Sequence, residues 1–175
     1  MKALLDKIAR REIMLGAAVG SGMSAKAVES GGADFLIALS AGFYRMQGRS
    51  SMLALLPYAN ANELTWQIAS EQIMPCLERI PVVLGLCAQD PGLNPREQFS
   101  RIKRHGMVGV TNFPSVVYFD GEYRAALERA GLGFEREVAL LSQARENGLL
   151  TIGFCLTEDE AVALCRANVH ILCLG

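Results

Sequence analysis

Six short apolar runs punctuate the sequence and alternate with amphipathic stretches. The runs are rich in Val, Ile, Leu and Phe and are nearly continuous, which is typical of strands covered on both faces of a parallel sheet. We expect strands over residues 13–20, 35–40, 81–87, 108–113, 149–155 and 170–174. Because amphipathic stretches separate these runs, the sequence predicts successive βαβ units and an α/β fold.

Helix-start signals lie in the gaps between the apolar runs. Asn60, Asn94 and Thr157 each stand three residues before a Glu, which is the spacing of an N-terminal cap. Asn94 is also followed by Pro95, which suits the first position of a helix. We expect helices over residues 60–80, from residue 95 to Gly106 and from residue 157, with two helical pieces, 123–130 and 134–147, in the fourth crossover.

The composition is that of a single folded domain. The chain has 175 residues, of which 51% are hydrophobic, and its formal net charge is -1. This near-neutral charge gives no basic surface for nucleic acid or for an anionic membrane, so small molecules remain as ligands. No apolar run approaches the roughly 20 residues that span a bilayer, and the basic N-terminus precedes no apolar signal core. We therefore predict one cytoplasmic domain over residues 1–175, with its five cysteines reduced.

Six βα units fit two architectures, an open doubly wound sheet and a closed eight-stranded barrel. The sequence stops at Gly175, directly after the sixth run, whereas a (β/α)8 TIM barrel takes about 250 residues. The simplest expectation is a TIM barrel truncated after strand six and preceded by an N-terminal helix. Strands one and six of such a fragment lack a neighbour, and unpaired strand edges favour association. We therefore expect a homo-oligomer.

Small, polar and basic residues follow the predicted strands, at the end of a parallel sheet where ligands bind. Glycines and hydroxyls let backbone N–H groups approach an anion, and arginine offers a forked donor to carboxylate or phosphate. The alternatives are tight βα turns, solvated arginines and, for Asn60, a helix cap. The candidates for anion binding are Gly20 and Ser21 after the first run, Ser40, Ala41, Gly42, Arg45 and Arg49 after the second, and Asn112 after the fourth.

Two segments resemble the phosphoenolpyruvate mutase/isocitrate lyase superfamily. Residues 20–26, Gly-Ser-Gly-Met-Ser-Ala-Lys, are similar to its G-x-S-A turn after strand one, and residues 60–66, Asn-Ala-Asn-Glu-Leu-Thr-Trp, to its D-x-N-E-x-x-W helix start. Residues 45–49, 55–58, 112–114 and 133–138 resemble more closely the phosphoenolpyruvate-hydrolase-like family, which includes the TIM-barrel domain of a plant tobamovirus-resistance protein. This resemblance extends over essentially the whole chain.

The resemblance implies a barrel that binds phosphoenolpyruvate or a 2-oxo acid at its C-terminal rim, with Mg²⁺ as cofactor. Residues 40–42 correspond to the carboxylate-holding turn of relatives, and Glu137 belongs to the last motif and joins the substrate-binding candidates. Asp90 is the acid nearest to the magnesium-binding aspartates of relatives, although the aligned strand-end residues are Gly85 and Cys87. Asn60 stands where relatives carry a catalytic acid. We therefore take Asn60 and Asp90 as the catalytic positions and Asp90 as the candidate metal ligand.

The resemblance leaves two functions open, an enzyme and a non-catalytic module, and the amide at position 60 is the feature that distinguishes them. Asn cannot transfer a proton as a carboxyl group does, although it can cap a helix and hydrogen-bond a ligand. We therefore expect either a hydrolase or lyase whose activity is weak or lost, or a non-catalytic ligand-sensing or signal-transduction module. The first turns over a phosphoenolpyruvate-like acid, whereas the second only binds it.

Overall fold

The computed structural model describes residues 1–175, and strands alternate with helices throughout. The strands are β1 Gly16–Val19, β2 Phe35–Ala38, β3 Val82–Gly85, β4 Gly109–Thr111, β5 Leu150–Cys155 and β6 Ile171–Leu174. The helices are α1 Lys2–Ala9, α2 Gly22–Ser30, α3 Ser40–Met46, α4 Ala61–Gln67, α5 Pro95–Arg104, α6 Gly121–Arg129, α7 Phe134–Glu146 and α8 Glu158–Arg166. None of these helices is long and apolar enough to cross a membrane.

The six strands form one parallel sheet in sequential order, from β1 to β6. A doubly wound sheet reverses its strand order at one point, so the observed order excludes that architecture and matches a barrel. In the register, Ile37 of β2 lies opposite Ala18 on one side and Val83 on the other. The predicted α/β fold with consecutive βαβ units is confirmed, and the sheet corresponds to six strands of a (β/α) barrel.

Alternate residues of the central strands face opposite layers. In β2, Leu36 and Ala38 belong to a cluster of 25 buried residues shared with the outer helices, whereas Phe35 and Ile37 belong to a cluster of 11 on the inner face. Leu4 of α1 joins the inner cluster, so the N-terminal helix packs against this face. Because both faces are covered, every residue of β2, β3 and β4 is buried, which explains the continuous apolar runs.

The two edge strands differ from the prediction. β1 begins at Gly16 and not at residue 13, and Ile13 and Leu15 are 96% and 62% exposed. β1 pairs only with β2, β6 pairs only with β5, and Leu174 at the end of β6 is 75% exposed. β1 and β6 are therefore not fully buried as predicted. Each has one edge without a neighbour, as expected for the first and last strands of such a sheet. The other predicted runs contain the observed strands.

The helix predicted over residues 60–80 is α-helical only in its first part. Asn60 caps α4 as predicted, since its Oδ1 accepts the Glu63 N–H at 3.0 Å. Beyond Gln67 the backbone changes to a π-helical turn, Ile68–Ile73, and then to a 3-10 turn around Pro75. Proline has no N–H to donate and its ring crowds the preceding turn, so Pro75 makes no α-helical bond to Glu71 and the helix ends at this turn.

The start of β6 is joined to β5 by Thr151 and His170. His170 Nδ1 accepts the Thr151 N–H at 3.0 Å, and the His170 N–H donates to Thr151 Oγ1 at 3.2 Å. Arg145 of α7 contacts the other ring nitrogen, Nε2. Burial and, secondly, the charge of Arg145 lower the pKa of His170 from 6.5 to about 4. The imidazole is therefore neutral at physiological pH and helps to hold β6 against β5.

We expect acid to destabilise the protein through His170. The unfolded chain binds a proton there near pH 6.5 and the folded chain only near pH 4, so the free energy of unfolding falls as pH drops through that interval. The variant His170→Asn keeps a side-chain acceptor but does not titrate, so its Tm should fall less than that of the parent. Thermal melts across this interval measure the difference, with His105→Asn as control. Equal losses in all three proteins would contradict the assignment.

The open edges of β1 and β6 lead us to expect self-association. A strand edge presents unpaired backbone N–H and C=O groups, and the side chains of Leu15 and Leu174 are exposed beside these edges. Sedimentation velocity should find dimers or larger species, and fewer of them for Leu15→Lys or Leu174→Lys, because an edge charge disfavours strand pairing. Met23→Lys, at an exposed position of α2, is the matched control. A parent protein that stays monomeric as its concentration rises would rule out this form of association.

Candidate functional site

A cavity of about 340 Å³ opens at the C-terminal ends of β3 and β4. Its wall residues come from three segments: 54–57 and 59–61 before and at the start of α4, 87 and 89–91 after β3, and 114–116, 119, 123 and 127 from the end of β4 into α6. Ten of the 17 wall residues are hydrophobic, so the cavity suits a small organic molecule. Cys87 is one of these ten, and the remaining wall residues include Asn60, Gln89, Asp90 and Ser115.

Asn60 and Asp90, the two predicted catalytic positions, are in direct contact. Asn60 Nδ2 donates to Asp90 Oδ2 at 3.0 Å, while Asn60 Oδ1 accepts the Glu63 N–H. Asn62, which is buried, donates to the same Asp90 oxygen at 2.9 Å. The start of α4 therefore presents two amides to one carboxylate, although 30 residues separate Asn60 from Asp90 in the chain.

Asn62 also fixes the segment that follows β3. Its Oδ1 accepts the Cys87 N–H at 2.7 Å, and its Nδ2 donates to the Cys87 carbonyl oxygen at 3.1 Å. This amide pairs with both backbone groups of one residue, so it holds the segment at a fixed distance from α4. The sequence analysis did not count Asn62 among the site residues, although Asn62 is the N of the D-x-N-E-x-x-W resemblance.

Asp90 is ionised at neutral pH. Partial burial opposes its charge, but the Gly92 N–H at 2.8 Å, together with Asn60 and Asn62, donates to the carboxylate and holds the pKa of Asp90 below its usual range. Asp90 takes part in none of the five salt bridges of the chain. Its negative charge is therefore stabilised by neutral donors alone.

Glu137 of α7 is a fully buried carboxylate behind the cavity wall. Its Oε2 accepts hydrogen bonds from Asn112 Nδ2 and Ser115 Oγ, both at 2.6 Å. Its Oε1 accepts from the Val116 N–H at 2.8 Å and from Gln89 Nε2 at 3.0 Å. Desolvation raises the pKa of Glu137, and these four donors oppose the rise. Both Glu137 and Asn112, predicted as substrate-binding residues, thus lie beneath the cavity wall and bind each other.

Gln89 and Ser115 connect the cavity to Glu137, because both line the wall and both donate to the buried carboxylate. Cys87 lies beside them, with its Sγ 3.6 Å from Gln89 Oε1. Desolvation raises the pKa of the Cys87 thiol, which is therefore neutral at physiological pH. Sequence reasoning missed Gln89 and Ser115. Their position just after a predicted strand was the only local signal.

The turns after β1 and β2 pack against each other. A Cβ at Gly20 would lie 1.8 Å from the carbonyl carbon of Gly42, so the two backbones are in contact. Ser21 caps α2 by accepting the Ser24 N–H at 3.2 Å. The predicted turn at residues 40–42 is instead the first turn of α3, where Ser40, Ala41 and Gly42 are buried. The Ser40 N–H donates to Thr65 Oγ1 at 3.1 Å, within the protein.

Arg45 and Arg49 lie on the surface, outside the cavity wall. Arg45 donates to Ser51 Oγ at 3.0 Å and reaches the Ala18 carbonyl oxygen at 3.5 Å. The structure therefore brings Asn60 and Asp90 together at the cavity, but it does not bring the two arginines or the turns after β1 and β2 there. The anion site at those positions stays a prediction.

The residues at these strand ends do not fit Mg²⁺, the cofactor that the resemblance implies. Magnesium needs oxygen ligands in near-octahedral geometry, usually with carboxylates among them. Gly85 and Cys87 provide no such oxygen, and the side-chain oxygen of Asn112 accepts the Phe154 N–H at 2.7 Å. Asp90 is the one wall carboxylate, and no group of three His, Cys, Asp or Glu side chains converges anywhere in the chain. Asp90 alone does not make a magnesium site.

Replacing Glu137 by Gln should destabilise the protein by about 3 kcal/mol at neutral pH. The new amide NH₂ would face at least one of the donors Asn112, Ser115 and the Val116 N–H, and a buried donor without an acceptor is costly. Urea unfolding measures the effect. Glu135→Gln, at an exposed position of the same helix, is the matched control. If both variants unfold like the parent, Glu137 does not hold this network together.

The sequence profile of the phosphoenolpyruvate hydrolase-like family matches residues 1–175, the whole chain. The chain is 37% identical over 172 residues to the ToMV resistance protein Tm-1(GCR237) of Solanum lycopersicum. That alignment covers 98% of this chain and 23% of the tomato protein. The chain therefore spans less than a quarter of the length of this relative.

Two solved structures share the fold. A phosphoenolpyruvate phosphomutase from Streptomyces platensis subsp. rosaceus superimposes with a TM-score of 0.64 at 14% identity, over 98% of this chain and 61% of that one. A phosphonopyruvate hydrolase in complex with oxalate and Mg²⁺ superimposes with a TM-score of 0.52 at 15% identity, over 94% of this chain and 67% of that one. At these identities the likeness concerns the fold alone. On the full-length profile match and the identity to the tomato protein, the chain belongs to the phosphoenolpyruvate hydrolase-like family.

Proposed function

We propose that this chain binds a small molecule in the rim cavity and does not turn it over. The observation that carries the proposal is the engagement of Asn60. Its Nδ2 donates to Asp90, and its Oδ1 accepts the Glu63 N–H at the start of α4. Both the NH₂ group and the oxygen of this amide are therefore engaged in hydrogen bonds that hold the wall in place. The resemblance implies a catalytic acid at this same position.

The other polar groups of the wall are poorly suited to proton transfer. A general acid or base works best with a pKa near the operating pH. The pKa of Asp90 lies below its usual range because three groups donate to it, which makes it a weak base. The pKa of the Cys87 thiol is raised by burial, so little thiolate forms. Hydrolase or lyase activity is therefore lost or weak in this proposal, and ligand sensing remains.

The cavity keeps what binding requires. Its wall is largely hydrophobic, and the contacts of Asn62 with Cys87 and of Glu137 with Gln89 hold the polar wall residues in place before a ligand arrives. The proposal retains the small-molecule ligand that the resemblance implies. It moves that ligand away from Arg45 and Arg49, because neither arginine lines the cavity.

Benzyl alcohol is a suitable neutral probe for binding, since it combines an apolar ring with one hydroxyl. In an NMR titration, the side-chain amide signals of Asn60 and Gln89, two wall residues, should shift. Leu127→Trp should abolish the shifts, because the larger ring fills the cavity from α6. Ala126→Trp, at an exposed position next in sequence, is the matched control and should bind like the parent. Shifts that survive in Leu127→Trp would place the binding elsewhere.

Asn60→Asp is the single change most expected to raise turnover from a parent that shows none. It places a second carboxylate about 3 Å from Asp90, where two like charges share one proton and raise the pKa of the pair. A positioned acid or base contributes roughly 10²–10⁴ in rate, so even a partial gain is measurable. The assay follows phosphoenolpyruvate, phosphonopyruvate and 2-methylmalate with magnesium present.

Asn62→Asp is the control for this substitution, because Asn62 is equally close to Asp90 but does not line the cavity. Both variants should be less stable than the parent at neutral pH and should recover as pH falls, since a carboxyl group with a raised pKa favours the folded state only when protonated. Turnover should appear in Asn60→Asp alone. Turnover by the parent at the same rate as by Asn60→Asp would overturn the proposed function.

A further inference from the structure

The wall of the rim cavity carries a single formal charge. Asp90 is the only Asp, Glu, Lys, Arg or His among its 17 residues. The acidic side chain of Glu137 lies just behind the wall in contact with Gln89 and Ser115. The one charge in the wall is negative, so an anionic ligand would meet no positive charge there.

Asp90 has room for one more hydrogen-bond donor. Its Oδ2 already accepts from Asn60 and Asn62, which uses both lone pairs of that oxygen. Its Oδ1 accepts only the Gly92 N–H, so one lone pair remains. Asp90 is partly exposed and belongs to the wall. A ligand that donates can therefore complete the coordination of this carboxylate.

No cation of the protein neutralises Asp90 from another side. Arg101 lines a smaller niche next to Asp90, but its guanidinium stacks on the Trp66 ring at 3.6 Å and forms no salt bridge. Arg124 of α6 is engaged by Glu128 at 2.6 Å and by Glu160 at 3.1 Å. A positive charge that pairs with Asp90 from within the cavity must therefore come from the ligand.

Two aromatic rings belong to the same wall. Phe119 and Tyr123 pack edge to face, with ring centroids 5.0 Å apart. The negative face of an aromatic ring attracts a cation. Aromatic rings and an ionised carboxylate together form the chemistry that recognises an ammonium group on an apolar body.

We propose that the rim cavity selects a small apolar molecule that carries a protonated amine, with Asp90 as the group that binds the ammonium and Phe119 and Tyr123 as its aromatic wall. This inference rests on the proposed function, since it names the ligand class of the same cavity. It differs from the anion that the sequence led us to expect.

Three probes of one shape separate the charge classes: benzylamine is cationic at neutral pH, benzyl alcohol is neutral and benzoate is anionic. We expect NMR titration of the parent to give benzylamine an affinity roughly tenfold higher than that of benzyl alcohol, with benzoate the weakest. Benzoate binding as tightly as benzylamine would overturn the ligand class and leave the proposed function standing. Failure of all three probes to bind would overturn both.

Asp90→Asn removes the charge at nearly constant size, so the preference for benzylamine over benzyl alcohol should disappear while the alcohol still binds. Because Asn60 and Asn62 also contact this residue, Asp90→Asn could disturb folding, so a second variant tests the site without changing these contacts.

Tyr123→Leu, at an exposed position, should lower the same preference about threefold. Tyr58→Leu, at another exposed position whose side chain does not line the cavity, is its matched control. A preference unchanged in both Asp90→Asn and Tyr123→Leu would overturn the assignment.

Discussion

The buried carboxylate of Glu137 is the interaction on which the geometry of the rim depends. A carboxylate removed from water is costly unless donors surround it, and here the donors come from different parts of the chain. Gln89 follows β3, whereas Asn112, Ser115 and the Val116 N–H follow β4. Because one side chain of α7 satisfies all of them, neither segment can shift without leaving a buried polar group unpaired. The shape of the cavity wall follows from this network.

The succession of strands and helices could be predicted because each central strand packs side chains on both faces of the sheet. Phe35 and Ile37 face inward while Leu36 and Ala38 face the helices, so burial on both faces leaves a continuous apolar run in the sequence. The same rule failed before Gly16. Hydrophobicity alone does not reveal whether a strand has a neighbour on each side, and residues 13–15 are apolar without being part of the sheet.

Local signals predicted local features of the site, and contacts between distant segments escaped them. The cap formed by Asn60 involves residues three apart, so it was visible in the sequence. Pro75 was also visible and marks where helical bonding must break, but the π-helical turn begins seven residues earlier, at Ile68, and no local signal predicted it. Gln89 and Glu137 are 48 residues apart, and spacing in the sequence does not predict a hydrogen bond between residues so far apart. Position after a strand also gave Asp90, which lines the cavity, and Arg45 and Arg49, which do not, so this signal alone did not define the site.

The backbone contact between Gly20 and Gly42 restricts how this part of the chain can evolve. A Cβ at Gly42 would lie 2.4 Å from the Val19 carbonyl oxygen, just as a Cβ at Gly20 would collide with Gly42. A side chain at either position must therefore displace the turn that carries the other. Neither glycine can be replaced while the opposite turn keeps its path, so a side chain at one position requires a shift of the other turn. The turns after β1 and β2 therefore constrain each other's sequence.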